Sequence, residues 1–107
     1  MTQFEDRERA FESYFKHELE MEFEIRAHRN RLLGLWAGGL MGFDADTAEA
    51  YAKDVIASDF QASGEAEVLK KVFVDLQGKG VQTAEHLVRK KMDRLLGVSR
   101  DEKMAAE

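Results

Sequence analysis

Cysteine and proline are both absent from this 107-residue chain. The first absence removes disulfide scaffolds, thiol nucleophiles and cysteine-based zinc sites together. The second removes the residue that most often ends or kinks a helix. No apolar run approaches the roughly 20 residues that a membrane-spanning helix needs, and the charged opening MTQFEDRERAF does not read as a secretory signal. Positive charge is in deficit as well: 16 Lys and Arg against 21 Asp and Glu leave a net charge of −5. An acidic chain repels a phosphate backbone, so nucleic acid is not an expected partner. The 44% of hydrophobic residues are enough for one modest core and argue against wholesale disorder. The expectation is a soluble cytoplasmic protein that does not insert in a membrane.

Glu, Ala, Leu, Lys, Arg and Met dominate what is present, and these residues favour helix. Glycine supplies the punctuation. GGLMGFDAD (38–46), ASGE (62–65) and GKGVQT (78–83) read as turns and divide the chain into four helical segments. The second segment begins after Asp44, with Asp46 and Glu49 spaced as a capping box. Its apolar set is Ala48, Tyr51, Ala52, Val55, Ile56 and Phe60. The third starts near Ser63 as N-cap and carries Val68, Leu69, Val72, Phe73 and Leu76. Thr83 is placed to cap the fourth, whose face is Leu87, Val88, Met92, Leu95 and Leu96, closed by Gly97 at a C′ position. Each segment has one apolar stripe and one charged face. Such helices bury their stripes against one another, which predicts an all-α, four-helix bundle.

The first segment, from Phe4 to about Leu40, is too long for a compact bundle of this size. On a helical wheel Phe4, Phe11, Tyr14 and Phe15 share a face, and Ile25, Leu32, Leu33, Trp36 and Leu40 return to roughly that face. Between the two groups Glu18 and Glu22 occupy the centre of the stripe. Two unpaired carboxylates are costly to bury, so the stripe divides into two apolar zones. Residues 1–20 are therefore expected to form an amphipathic, mobile helical arm, residues 21–97 the bundle and residues 98–107 a polar tail. The stretch ELEMEFEI (18–25) alternates as a half-buried strand would. It has no second strand to pair with, and its composition assigns it to helix.

Motifs for chemistry are sparse. His17, His28 and His86 lie far apart, and no carboxylate–histidine spacing suggests a built metal site. Glu24 and His28, one turn apart, read as a solvated contact. GKG (78–80) lacks the spacing of a phosphate loop and reads as an inter-helix turn. Gly34 and Gly38 form G-x-x-x-G, a signal specific only inside a membrane; here the spacing lets another helix approach closely beside Trp36. RAHRNR (26–31) and RKKMDR (89–94) are basic, and solvated helix faces are expected of both ahead of RNA or acidic-partner binding. The abundant carboxylates suggest no acid/base pair, so neither an enzyme nor a cofactor is expected.

The arm is the feature that remains. Four aromatics within 15 residues, interleaved with Glu5, Asp6, Arg7, Glu8, Arg9, Glu12 and Lys16, have the composition of a helix that docks into a protein groove. Packing of the arm back onto its own bundle is an equally open reading of the spacing. A membrane-surface helix would carry more Lys and Arg on its polar face.

FEDRERAFESYF (4–15), RNRLLGLWAGGLMG (29–42) and AYAKDVIASDF (50–60) together resemble the zeta subunit of the alphaproteobacterial rotary F-type ATP synthase. The resemblance covers most of the chain and is weakest in the tail. It implies an endogenous ATPase inhibitor with a four-helix domain. In that family the N-terminal segment is the inhibitory element. It enters the interface between catalytic subunits and central rotor, folds there as a helix and blocks rotation in the hydrolysis direction. The implied partner-binding residues are Phe4, Glu5, Asp6, Arg7, Glu8, Arg9, Phe11, Glu12, Tyr14 and Phe15. The implied partners are the catalytic and rotor subunits, with the free chain monomeric and the bound chain held at the cytoplasmic side of the inner membrane through the synthase. A small-ligand or nucleotide-binding regulatory bundle with a different protein partner is the alternative; the turns and basic clusters allow it, but no motif specifies it.

Overall fold

Four helices follow one another: α1 (Gln3–Leu40), α2 (Ala45–Ser58), α3 (Glu65–Gly78) and α4 (Glu85–Ala105). The structure, a computed structural model, describes residues 3–60 and 64–106, with residues 3–5 as backbone only. No strand occurs among the described residues, and ELEMEFEI lies within α1. The all-α, four-helix expectation holds. At about 1.5 Å per residue α1 is roughly 57 Å long and accounts for most of the 64 Å long axis of the molecule.

Two glycines end helices in left-handed conformations that other residues adopt at a cost. Gly42 has φ 80°, and the Phe43 N–H donates back to the Gly38 carbonyl at 2.9 Å. Gly80 has φ 77°, with the Val81 N–H donating to the Leu76 carbonyl at 3.0 Å. Both are six-to-one closures that satisfy an orphan carbonyl and reverse the chain. The GKG segment is thus the α3–α4 turn.

The first two helices meet along small residues. A Cβ added at Gly34 would lie 2.6 Å from the Ala52 Cα, and one at Gly38 would lie 3.1 Å from the Ala48 Cβ. The G-x-x-x-G spacing therefore admits α2 against α1, as its small residues allow. Behind this seam sits the core: Leu33 and Ala37 of α1, Tyr51 and Val55 of α2, Val68, Val72 and Leu76 of α3, and Val88 and Met92 of α4. Trp36, Leu69, Phe73 and Leu95 pack on its edge. The Tyr51 hydroxyl donates to Asp75 Oδ2 at 2.9 Å. Burial, and then that carboxylate, push its pKa up, so the phenol stays protonated.

Several local expectations need correction. The α2 cap is Asp44, whose carboxylate accepts from the Thr47 N–H at 2.8 Å; Asp46 lies inside the first turn and no Asp46–Glu49 capping box forms. Helix α4 starts after Ala84, with no side-chain cap, so Thr83 lies outside the cap position. Ser63 lies outside the described residues; the residue preceding α3 is Gly64. Leu40, Phe60 and Leu87, expected on apolar faces, are exposed. Most consequentially, α4 does not stop at Gly97 but runs to Ala105. A glycine inside a helix costs only about 1 kcal/mol relative to alanine, and tertiary contacts beyond it outweigh that. Ser99 is fully buried, and its hydroxyl donates to the Ile25 carbonyl at 2.6 Å.

Candidate functional site

Helix α1 leaves the bundle as an exposed rod. Every residue from 6 to 20 is exposed, and Ile25 is the first fully buried side chain among the described residues of the helix. Phe11, Tyr14 and Phe15 remain 70%, 64% and 56% accessible. The Phe11 and Phe15 rings lie parallel within 9° at 6.5 Å between centroids, one helical turn apart. Asp6, Arg7, Glu8, Arg9 and Glu12 surround them on the same exposed length. The side chains of Phe4 and Glu5 lie outside the described residues.

The apolar row does not end at Phe15. Leu19 and Phe23, each one turn further on, are exposed to 58% and 55%. Phe23 then meets Phe60, in the turn just past α2, with 5.6 Å between ring centroids. These two α1 residues lie beyond the set expected from the sequence. The signal for them is the unbroken four-residue spacing 11, 15, 19, 23, which puts them on one slowly turning ridge of the helix. Weighing the face by its central carboxylates hides that ridge.

The junction between rod and bundle is fastened by α4. Glu22 binds Arg100 at 2.7 Å, Ser99 holds the Ile25 carbonyl, and His28 Nε2 meets the Glu102 carboxylate. Glu22 is thus a paired, exposed carboxylate whose partner lies 78 residues away in the chain. The pairing raises the Arg100 pKa, chiefly through its hydrogen bond to Glu22. His28 turns to Glu102 rather than to Glu24, the neighbour expected from sequence.

The first basic cluster is largely committed within the molecule, while the second keeps Lys90 and Arg94 exposed. Arg29 is fully buried and Asn30 nearly so, which corrects the solvated-face reading of RAHRNR. Arg29 donates to Asn30 Oδ1 at 2.7 Å and to Glu65 at 3.0 Å. Asn30 and Arg26 both donate to Asp59, at 2.9 and 2.7 Å, and Arg31 reaches Glu49 at 2.6 Å. In the second cluster Arg89 lies 3.6 Å from Glu65, and the Lys91 ammonium sits 5.6 Å from the centre of the Trp36 ring. Neither cluster forms a uniform free cationic face.

Among the described residues no group of three or more His, Asp or Glu is arranged to hold a metal, and no helix is long and apolar enough to cross a membrane. A cleft of about 460 Å³ lies beside the junction, lined by Glu22, Phe23, Arg26, Ile56, Asp59 and Phe60 among others.

These features define a class: an all-α four-helix protein that carries a long, aromatic-studded helical extension. The family model for ATPase inhibitor subunit zeta matches residues 1–102, and the chain belongs to that family. Its members are inhibitor subunits of the ATPase complex rather than catalysts. A solution NMR structure resembles the chain at 38% identity with a TM-score of 0.71; the match covers 81% of this chain and 99% of that one. No curated protein matches.

Proposed function

We propose that the chain inhibits ATP hydrolysis by the rotary F-type ATP synthase. Its N-terminal arm, residues 1–20, docks where the catalytic subunits meet the rotor and blocks rotation in the hydrolysis direction. Residues 21–97 anchor the arm. The observation that supports this reading is the exposure of Phe11, Tyr14 and Phe15 on a helical rod, within a chain of the inhibitor family. Solvent-exposed aromatics contribute little to the fold, so their burial is available to a partner. Fully burying each ring is worth on the order of 1.5–3 kcal/mol before ordering costs. The interleaved Asp6, Arg7, Glu8, Arg9 and Glu12 would then set orientation and exclude wrong partners. Phe4 and Glu5 complete the set. In this reading the chain is monomeric when free and sits at the cytoplasmic side of the inner membrane only through the synthase.

The test is ATP hydrolysis by the isolated catalytic sector of the cognate enzyme, titrated with the full chain, a chain lacking residues 1–19, and Phe11→Ala. Inhibition by the full chain, loss of it on deletion, and weakening by about tenfold or more in Phe11→Ala at an unchanged melting temperature are expected. Equal inhibition by the full and shortened chains would place the effector elsewhere in the bundle.

A further inference from the structure

Resting on the arm reading above, we infer that the partner-binding surface continues past the arm. It follows the ridge Phe11–Phe15–Leu19–Phe23 onto Phe60 of the bundle and there takes an apolar segment of the same ATPase partner.

Continuity along the helix is the first argument. Phe11 and Phe23 stand about 18 Å apart along the axis at 1.5 Å per residue, and each intervening turn presents an exposed apolar side chain on the ridge. Phe23 and Phe60 touch each other and still keep 55% and 64% of their surfaces in solvent. Together with the ridge they form a contiguous apolar patch, the kind of surface that marks an interaction site, whereas singly exposed apolar residues need no such explanation. Val74 on α3 is of that single kind, exposed on another helix.

Charge chooses the occupant. The ionic groups around the Phe23–Phe60 cleft are paired within the chain: Glu22 with Arg100 and Arg26 with Asp59. The cleft therefore offers aromatic surface and little unbalanced charge, which suits an apolar segment and not an acidic or basic one. A partner that buries the arm's aromatics up to Phe15 meets Leu19 and Phe23 next on the same helix, and the bundle brings Phe60 to that end of the row. The anchor thereby becomes a second contact with the enzyme.

The absence of cysteine makes a direct test clean. Single thiols are introduced in the full chain as Phe60→Cys on the ridge, Ala10→Cys on the arm and Val74→Cys on α3. Their alkylation rates are measured with and without saturating isolated catalytic sector. We expect slowing of about tenfold at positions 60 and 10 and none at 74, as for a site occluded in a stable interface. Slowing at 10 with none at 60 overturns the inference and leaves the arm reading intact. No slowing at either site, or no complex, overturns both. Slowing at all three overturns the inference, since the contact would not be particular to the ridge.

Discussion

Alanine at position 34 of α1 should destabilise the bundle, although alanine is the better helix former. The added Cβ would lie 2.6 Å from the Ala52 Cα, where ordinary contact begins at 3.4 Å. The obstacle is backbone, so no side chain can swing aside, and α1 and α2 must part by about 0.8 Å at that point. Overpacking of this kind costs roughly 1–3 kcal/mol, and Gly→Ala returns about 1 kcal/mol of helix propensity. Because the obstacle is backbone, the cost falls in the upper part of that range, about 2–3 kcal/mol, and the net loss is about 1–2 kcal/mol. In a domain of this size each kcal/mol moves the melting temperature by roughly 4–8 °C, so thermal unfolding followed by circular dichroism should show a fall of about 4–16 °C. The matched control is Gly97→Ala, in the interior of α4 with nothing within 4 Å of the new Cβ. It should raise the melting temperature by a few degrees through propensity alone. A Gly34→Ala protein as stable as the parent would refute the close approach of the two helices. A destabilised Gly97→Ala protein would refute the passage of α4 through that position.

Two further outcomes follow from the polar groups. Arg29→Ala removes a buried guanidinium and leaves Asn30 Oδ1 and Glu65 without its hydrogen bonds; a loss of about 3 kcal/mol is expected, the low end for a broken buried pair because Glu65 keeps contact with solvent, and urea denaturation measures it. Asp44 is held below its ordinary pKa of 3.8, first by the Thr47 backbone N–H and then by the Thr47 side chain. A depressed carboxylate contributes stability that is present above the unfolded-state value and lost as pH falls through the lower folded-state value. Asp44→Asn, which still caps, should therefore flatten part of the acid limb below about pH 4, read as the difference in urea midpoint between the two proteins from pH 5 to 2.

The glycine clusters and apolar stripes made the helices and most of the core readable from sequence, because both are local signals. Val68, Val72 and Leu76 lie on one face by spacing alone, and the structure buries all three. The three larger misreadings share a different cause. Gly97 reads as a stop only while Ser99 and its bond to Ile25 are unknown. Glu22 reads as an unpaired charge until Arg100 is brought beside it by the fold. Arg29 belongs by composition to a solvated basic run, yet Glu65 and the neighbouring Asn30 give it partners that allow full burial. Each correction comes from a contact between distant parts of the chain, which periodicity does not encode. Within the candidate site the aromatics of the arm were legible by composition. Leu19 and Phe23 continue the same four-residue spacing but are masked by the carboxylates between the two apolar zones. Phe60 was not legible, because recognising it requires the geometry that brings the turn after α2 against α1.

One uninterrupted helix joining the rod to the bundle has an angular consequence. Side chains on a helix are indexed to its axis at 3.6 residues per turn, and α1 passes from Phe11 to Ile25 without a break. The compass bearing of the arm's aromatics is therefore geared to the orientation of the whole four-helix body. One residue added between them would swing the aromatic face by about 100° while lengthening the rod by only about 1.5 Å. Length in this segment is forgiving; phase is not. Whatever grips the arm also fixes which way the remaining three helices face, as a key in its lock fixes the bearing of its bow.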